Sequence, residues 1–500
     1  MNHEQNLRLT RVGPGTPGGA LQRRFWQPIA LTEEFDPLLA PDMGSPEQPR
    51  LVKAVRALGQ DFVLVKNHDG SWALLDRDCP HRGANLAFAR YESRYERISS
   101  ENDSTPLNIS AGDIPISPIK EAATSIRCPF HGWAFQTSGE QAGQCIDTPA
   151  EPAGSTLCTQ IKQRSYPVQE KAGVVWAWLG DLASDANEVA SKPELMPDLD
   201  CFAAPASHSF AFKGMWRANW LQCFEVGMDP AHPSFLHRFL QDADLQETGS
   251  NAGGKQFRSA SAGDVQGERW PMTRVMRELH SPKLSAQAVK SDTLQGIRIT
   301  ALRELSNETT HVRITQAVFP HIFVIPLSET LTITQWHLPI DDERTYWFSV
   351  FTSFEAPIDQ AAMRAQRLPY TNLPDYTPRA GAHNAWGFSP EEQMSRTFLG
   401  MGEDDINVHD QWAVESNGSL QDRTREHLAT SDKIIVLYRR WLQRAIDAAE
   451  LGHATPPLPA AQALSEPPGT VDGFAPSTDW QAWQSAQLAA KREKAPWIKP

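Results

Sequence analysis

Four side chains that can bind metals or carry protons lie close together in the sequence: Glu225, Asp229, His232 and His237. They stand among apolar residues of the kind that fill a buried helix. In a regular helix the first three would share one face, because they are spaced by four and then three residues. His237 would point about 140° away from His232. Pro233 is therefore expected to end or kink the helix between the two histidines, so that both imidazoles can converge on one point.

Two imidazoles and one carboxylate from elsewhere in the chain form the ligand set that holds a non-haem Fe(II) and leaves positions open for oxygen and substrate. A second interpretation needs no metal, because the histidines could cap neighbouring elements or satisfy hydrogen bonds in the core. This stretch alone favours neither interpretation, since a short motif is only a hypothesis.

Two short turns earlier in the chain each offer one thiol and one imidazole. The first reads Cys79-Pro-His81 and the second reads Cys128-Pro-Phe-His131. Four such ligands suit a structural zinc or a Rieske [2Fe–2S] centre, in which one iron takes two cysteines and the other takes two histidines. Zinc fingers usually pair Cys with Cys and His with His, whereas each of these turns supplies one of each. The paired pattern therefore favours the [2Fe–2S] cluster.

Composition limits the classes of protein that are possible. A chain of 500 residues with 40% hydrophobic content can form two or three packed domains. The net charge of −13 argues against a broad nucleic-acid-binding surface. Six cysteines are too few for a disulfide scaffold, and no apolar run approaches the roughly 18 residues of a membrane span. With no signal-peptide pattern at the start, the sequence predicts a cytoplasmic protein.

Short β-type runs surround the two turns and predict an all-β domain, beginning with a hairpin signal at 61–75. Alternating segments between 296 and 351 predict an antiparallel sheet, and apolar faces at 357–367 and 431–450 predict helices packed against it. The predicted organisation is a lead-in at 1–50, a cluster domain at 51–180 with a polar insertion at about 91–126, a linker at 181–205, an iron domain at 206–450 and a surface tail at 451–500.

Taken together, the two cysteine–histidine turns and the His232/His237 segment resemble the oxygenase component of Rieske non-haem iron oxygenases, in the branch of phthalate dioxygenases and aromatic O-demethylases. The segment from Asp410 to Gly418 is similar to that branch too. The resemblance covers most of the chain. It implies an α+β protein in which an all-β Rieske domain precedes a helix-grip catalytic domain, an antiparallel sheet wrapped on helices.

The resemblance also implies roles for particular residues. Asp229 matches the family aspartate that bridges a cluster histidine of one subunit and an iron histidine of its neighbour, and we place it with Glu225 among the catalytic residues. The cluster ligands would be Cys79, His81, Cys128 and His131, and the iron ligands would be His232, His237 and Asp410. The acidic run at 403–405 offers rival carboxylates, although a solvated acidic surface explains that run more simply.

Three features depart from the usual pattern of the branch. Val226-Gly227 follows Glu225 where Gly-Gly is usual, His409 stands before Asp410 where Gln is commoner, and the insertion between the cluster turns is long. None of these departures removes a ligand, but all three affect the predicted pocket or subunit interface.

The function implied by the resemblance is that of a terminal oxygenase. Electrons from NAD(P)H would reach the cluster through a separate reductase or ferredoxin, and the mononuclear Fe(II) would use O2 to hydroxylate or O-demethylate a small aromatic acid. The family arrangement would be a trimer or a stack of trimers. Two alternatives stay open, a Rieske-type electron carrier and a zinc-stabilised small-molecule binding protein.

Apolar candidates for the substrate pocket are aromatic, and an arginine could bind a carboxylate. Ordinary core packing and exposed strand positions explain the same residues equally well. The candidates are Phe224, Phe235, Phe319 and Phe323, with Arg298 or Arg313 for the carboxylate.

Overall fold

The structure is a computed structural model that describes residues 1–45, 48–93, 124–152, 154–180, 195–241, 262–265, 268–402, 406–456, 468–495 and 497. Most of the predicted insertion (94–123), part of the predicted linker (181–194) and the acidic run at 403–405 lie outside the described residues. No helix in the described part of the chain is long and apolar enough to cross a membrane.

The first part of the chain forms short antiparallel strands. Their order in three sheets is β1-β13-β12, β4-β5-β6-β11 and β7-β8-β9-β10, with β2 and β3 as a separate pair. The strands are Trp26–Leu31 (β1), Gly44–Ser45 (β2), Gln48–Pro49 (β3), Val52–Ala57 (β4), Gln60–Lys66 (β5), Trp72–Asp76 (β6), Arg90–Glu92 (β7), Ser125–Arg127 (β8), Ala134–Gln136 (β9), Cys145–Asp147 (β10), Ser165–Tyr166 (β11), Val168–Lys171 (β12) and Val174–Trp178 (β13).

One large antiparallel sheet dominates the second part, with the order β14-β22-β21-β20-β19-β18-β17 and with β25 also paired to β19. The strands are Ser209–Trp216 (β14), Ala262–Val265 (β15), Glu268–Pro271 (β16), Lys283–Lys290 (β17), Gln295–Glu304 (β18), Thr309–Val318 (β19), Ile322–Pro326 (β20), Leu331–Pro339 (β21), Thr345–Ser353 (β22), Thr371–Asn372 (β23), Thr377–Pro378 (β24) and Val471–Pro476 (β25).

The helices are short apart from two near the C-terminal end of the chain. They are His3–Thr10 (α1), Pro17–Gln22 (α2), Leu157–Gln160 (α3), Asp200–Ala203 (α4), Trp220–Met228 (α5), Met272–Glu278 (α6), Gln360–Ala365 (α7), Pro390–Ser395 (α8), Asn407–Glu415 (α9), Lys433–Glu450 (α10) and Trp480–Lys494 (α11).

Helices α5 and α10 pack together on one face of the large sheet. The ring centroids of Phe224 in α5 and Tyr438 in α10 lie 5.0 Å apart, and Trp441 of α10 lies 4.5 Å from Phe319. Helix α10 buries Ile434, Tyr438, Trp441 and further members of its predicted apolar face. The prediction of a sheet wrapped on helices is confirmed. Burial of its apolar face stabilises such a helix more than helix propensity does.

The N-terminal domain packs on the opposite face of the large sheet. Trp176 of β13 and Trp336 of β21 are in edge-to-face contact with centroids 4.8 Å apart. The imidazole Nε2 of His321 lies 3.0 Å from the Oε1 atom of Gln27 in β1. Since alternate residues of a strand face opposite sides, Trp336 points away from the side that carries Gln335 and His337.

The predictions for the two ends of the chain are partly wrong. The lead-in contains β1, which pairs with β13, and its register shifts between Pro28 and Ala30. Pro28 makes β1 difficult to predict, because proline lacks the N–H of a regular ladder and occurs in strands only at edges and bulges. The predicted surface tail contains β25, which pairs with β19 from Thr309 to Ile314. The hairpin prediction is confirmed by the pairing of β5 with β6.

Buried charges join α5 to α10. Arg439 donates hydrogen bonds of 2.5 and 2.7 Å to the carboxylate of Glu225, and Arg423 donates a longer one of 3.3 Å. Burial by itself raises the pKa of the Glu225 carboxyl, but Arg423 and Arg439 outweigh burial and hold the pKa below its usual value. Glu225 is therefore an ionised partner of two buried arginines.

We expect Glu225→Ala to destabilise the fold, because it removes the carboxylate between two buried guanidinium groups and leaves them only the pairing with Glu426. The loss expected for breaking a buried ion pair in this way is about 3–5 kcal/mol in the free energy of unfolding. Chemical denaturation followed by circular dichroism measures this loss.

Glu278→Ala is the matched control, because Glu278 pairs with Arg274 on the surface of α6. An exposed pair four residues apart contributes only about 0.3–0.5 kcal/mol. Since the pKa of folded Glu225 lies below 4.5, its contribution is present above that pH and is lost as the pH falls through the folded value. Equal losses in the two variants would contradict the role given to Glu225.

Candidate active site

Helix α5 ends earlier than the sequence predicts. Its last residue is Met228, and Asp229 has an extended backbone with φ −88° and ψ 108°. Pro230 explains this end, because the ring of a proline disfavours the helical conformation in the residue before it. Glu225, Asp229 and His232 therefore do not share a helix face, and that prediction is wrong. The carboxylate of Asp229 instead accepts a hydrogen bond of 2.8 Å from the N–H of Ala231.

The two histidines still converge, because the chain turns twice after α5. His232 begins a short 3₁₀ helix, His232–Ser234, and its Nδ1 donates to the backbone carbonyl of Asp229 over 2.5 Å. The rings of His232 and His237 lie 5.1 Å apart at 77°. A turn that contains Pro230 and Pro233 thus brings the two imidazoles together, as a kinked helix was expected to do.

Helix α9 brings Asp410 to the same point. Its Oδ1 atom lies 3.2 Å from the Nε2 atom of His237 and 3.7 Å from that of His232. Among the described residues, His232, His237 and Asp410 form the one group of three potential ligands, with ligand atoms all within 4.8 Å of one another. The buried Oδ1 atom has no hydrogen-bond partner among the described residues. A cation between these three atoms would satisfy that oxygen, so the residues fit a mononuclear metal.

The protonation of these groups suits a metal. Burial lowers the pKa of His232, and the neighbouring His237 lowers it further, so the imidazole is neutral at neutral pH. Burial by itself raises the pKa of Asp410, but His237 and His232 outweigh it and hold the pKa below its usual value. A neutral imidazole and an ionised carboxylate are the forms that bind iron.

His409 lies directly behind His237. The two rings are stacked at 21° with centroids 5.4 Å apart, and their Nδ1 atoms are separated by 3.2 Å. The Nε2 atom of His409 donates to the carbonyl of Gly402 over 2.7 Å. Burial lowers the pKa of His409 to about 4.

The two cysteine–histidine turns have the same internal hydrogen bonding. Gly83 donates to the carbonyl of Cys79 over 2.8 Å, and Gly132 donates to the carbonyl of Cys128 over 3.0 Å. Both glycines have positive φ, at 74° and 76°, a conformation that side chains make costly. Each glycine closes its turn and leaves the ligand side chains at the tip of a hairpin.

The thiols of these turns are buried and the imidazoles lie nearer the surface. The rings of His81 and His131 are 4.5 Å apart, and Trp133 stacks on His81 at 4.4 Å. Burial raises the pKa of Cys79 to about 11, with the Cys128 thiol within hydrogen-bonding reach, so iron ligation has to remove these protons. Two buried thiols and two more exposed imidazoles would hold a [2Fe–2S] cluster.

A cavity opens beside His232, His237 and Asp410. Alternate residues of the large sheet line it, and the end of α5 closes one side, where Gly227 approaches the ring of Phe323. The walls are mainly apolar, with lining residues that include Trp216, Ile299, Ala301, Phe323, Ile325, Ile333, Trp347 and Phe351. An apolar cavity that ends at a metal site is the usual form of a small-molecule site.

A few polar groups stand among these apolar walls. Arg313 donates to the backbone carbonyl of Pro326 over 3.2 Å and forms an ion pair of 3.1 Å with the buried Asp472 of β25. The guanidinium of Arg367 lies 4.3 Å from the ring centroid of Phe351. Gln335 donates to the hydroxyl of Ser349 over 3.2 Å. These groups can orient a polar substituent of a bound molecule.

The predicted pocket residues divide clearly. Phe323 and Arg313 line the cavity, whereas Phe224, Phe319 and Arg298 are buried elsewhere. Phe235 is largely exposed and packs on Phe398. Asp229 also lines the cavity, but the structure does not bring Glu225 to it, since that carboxylate lies between two arginines.

Sequence reasoning missed three residues of the site. His409 was noticed only as an unusual neighbour of Asp410, and its contact with His237 joins residues 172 positions apart. Arg367 follows a short helix and Gln335 sits in an alternating strand, where polar residues are usual. No local pattern marks either residue, because their access to the cavity depends on how the sheet curves.

Comparisons with known proteins show the family of this chain. The Rieske [2Fe-2S] domain family matches residues 41–167, and the family described as LigXa C-terminal domain like matches residues 193–495. Phthalate 4,5-dioxygenase oxygenase subunit of Pseudomonas putida is 27% identical, covering 90% of this chain and 87% of its own length. The 5,5'-dehydrodivanillate O-demethylase oxygenase subunit of Sphingobium sp. is also 27% identical, covering 90% and 82%.

A solved structure has the same fold. It is NdmA of Pseudomonas putida CBB5 with caffeine, at 16% identity and a TM-score of 0.50, covering 89% of this chain and 98% of that one.

The chain belongs to the Rieske non-haem iron oxygenases with a LigXa-like C-terminal domain, a family of enzymes that use a [2Fe–2S] cluster and a mononuclear iron.

We expect Asp410→Ala to abolish metal binding at the mononuclear site, because it removes the only carboxylate of the three-residue group. Protein freed of the mononuclear metal and titrated with Co(II) should show a d–d absorption band that the variant lacks. The visible spectrum of the [2Fe–2S] cluster should not change.

Asp422→Ala is the control, because that carboxylate is exposed and bonds only to the nearby Thr424. Co(II) binding that survived in Asp410→Ala would show that another carboxylate completes the site.

Proposed function

We propose that the chain is an oxygenase subunit that binds Fe(II) through His232, His237 and Asp410. One observation supports this proposal above all others: three ligand atoms lie within 4.8 Å of one another at the end of a largely apolar cavity. Two histidines and a carboxylate leave coordination positions open, which is the arrangement of non-haem iron oxygenases.

We propose Cys79, His81, Cys128 and His131 as the ligands of the [2Fe–2S] cluster. When bound, the two iron centres supply electron transfer and oxygen activation. The chain's own residues hold the imidazoles by their Nδ1 atoms, keep the carboxylate ionised and surround the site with largely apolar walls. Electrons from NAD(P)H would enter through a separate reductase or ferredoxin. A cytoplasmic location stays a prediction.

The proposed substrate is a small aromatic acid, which would be hydroxylated or O-demethylated. Apolar and aromatic walls accept a planar ring, and the Arg313 guanidinium can bind a carboxylate. Two relatives are named for phthalate 4,5-dioxygenation and for 3-chlorobenzoate-3,4-dioxygenation, and both of those named compounds are aromatic acids. This agreement supports an aromatic acid as the substrate.

The proposed assembly is a ring of three subunits, or a stack of such rings, in which each cluster serves the iron of a neighbour. Within one chain the large sheet stands between the N-terminal domain and the cavity, which supports transfer to another subunit. Phe88 and Phe130 are exposed beside the cluster turns, at 71% and 56%. Phe235 and Phe398 are exposed beside His237. Contact between these two surfaces would bury both, as subunit interfaces do.

We expect Arg313→Met to weaken the binding of carboxylate substrates selectively. The measurement is turnover of aromatic acids and their methyl esters with ¹⁸O₂ and a reductant, followed as ¹⁸O in the product. Loss of a charge-assisted hydrogen bond should raise the KM of the acid roughly 10- to 100-fold, at about 1.5–3 kcal/mol, with little effect on the ester.

Arg298→Met is the matched control, because Arg298 is buried in the neighbouring strand and does not line the cavity. It should leave the ratio of the KM values for acid and ester unchanged. An equal rise for acid and ester in Arg313→Met would refute the anchor. Absence of ¹⁸O from every product of the wild-type protein would count against the aromatic-acid reaction itself.

Mixed assemblies test the route of electrons between subunits. Cys128→Ser should lack the cluster and Asp410→Ala should lack the iron, so each should be inactive alone. Co-expressed with different tags and purified through both, they should regain part of the activity, because an intact cluster then faces an intact iron. Activity absent from such mixed assemblies would favour transfer within one chain.

A further inference from the structure

We propose that His409 is a positioning residue that fixes the tautomer of His237 and so directs the Nε2 lone pair of His237 at the metal. This inference rests on the proposed iron site. It concerns a residue that departs from the pattern the sequence resembles, and it assigns to that residue a hydrogen bond to an iron ligand.

The direction of the hydrogen bonds follows from the backbone. The carbonyl oxygen of Gly402 can only accept, so the Nε2 atom of His409 at 2.7 Å carries a proton. A neutral imidazole has one N–H, and the Nδ1 atom of His409 therefore has a lone pair. That atom lies 3.2 Å from the Nδ1 atom of His237, and the contact is a hydrogen bond only if His237 donates. The Nε2 atom of His237, which faces Asp410, then carries a lone pair instead of a proton.

The opposite direction of this contact would prevent metal binding. If His409 donated from Nδ1 to His237, the proton of His237 would lie on Nε2, the atom that faces Asp410. With its Nε2 atom bonded to Gly402, His409 offers its Nδ1 atom as the acceptor that favours the metal-binding tautomer of His237.

The second iron histidine has an equivalent partner. The Nδ1 atom of His232 donates to the carbonyl of Asp229 at 2.5 Å, so its Nε2 atom also faces the metal as a lone pair. One histidine thus depends on a backbone carbonyl and the other on a side chain. Only the side chain can be changed by substitution, which makes this contact testable.

The experiment compares His409→Phe with His409→Gln. Phenylalanine keeps a ring beside His237 but has no acceptor. Glutamine can accept from His237 through its Oε1 atom and donate to Gly402 through its amide. His427→Phe, an exposed position, is the matched control. The readouts are the Kd for Co(II) at the mononuclear site and the energy of its d–d bands, with the cluster spectrum and thermal midpoint as checks of folding.

We expect His409→Phe to weaken Co(II) binding by about 10- to 100-fold and to shift the d–d bands, as loss of a partner of a metal ligand does. His409→Gln and His427→Phe should stay close to wild type. Unchanged affinity in His409→Phe, or equal losses in the Phe and Gln variants, would overturn the inference. If wild-type protein itself bound no metal beyond the cluster, the proposed iron site would fail together with the inference.

A second measurement applies if His409→Phe does not fold. Neutron diffraction of the deuterium-exchanged wild-type protein locates the exchangeable protons. The inference requires deuterium on His237 Nδ1 and His409 Nε2, and none on His409 Nδ1. Deuterium on His409 Nδ1, directed at the backbone of Leu236 that also contacts this ring, would overturn the inference.

Discussion

The structure depends on holding one ionised carboxylate, that of the half-buried Asp410, beside two imidazoles. Burial opposes that charge, and the oxygen that faces the imidazoles has no hydrogen bond among the described residues. A buried polar atom of this kind is costly unless something binds it. Two contacts hold the histidines in place: the Nδ1 atom of His232 bonds to the carbonyl of Asp229, and the Nδ1 atom of His237 contacts His409. A cation bound between the three side chains would satisfy the Oδ1 atom of Asp410.

The large sheet separates two tasks. One face carries the cavity and the two helices, and the other face packs against the N-terminal domain through Trp176 and Trp336. Because side chains alternate along each strand, a single strand such as β21 serves both faces with neighbouring residues. A substitution in β21 consequently affects the cavity or the domain contact according to its parity. Both faces of β21 are largely buried, because one faces the cavity and the other faces the N-terminal domain.

The sequence predicts the candidate ligands, of which the structure brings His232, His237 and Asp410 together, but it does not predict the residues that contact them. Paired turns and the histidine motif predict the cluster domain and the iron domain because each signal is local. Pro230, rather than Pro233, ends α5, so the early end of the helix follows from a local signal in the sequence. His409, Arg367 and the role of Glu225 could not be predicted, because each depends on contacts between segments far apart in the chain. Strands β1 and β25 could not be predicted, because they lie in turn-rich ends of the chain and pair with strands far away in the sequence.

Through β25, the C-terminal segment affects the charge of a cavity that it does not line. Asp472 does not line the cavity, yet it pairs with Arg313, which does, and with the buried His311. The charge presented to a bound molecule is therefore set jointly by Arg313 in the cavity wall and by Asp472 of β25, the strand that pairs with β19. Replacing β25 by a strand without this carboxylate would change the charge beside the pocket without changing a lining residue. For protein engineering, the C-terminal segment is a place outside the cavity at which substitutions can change selectivity among substrates.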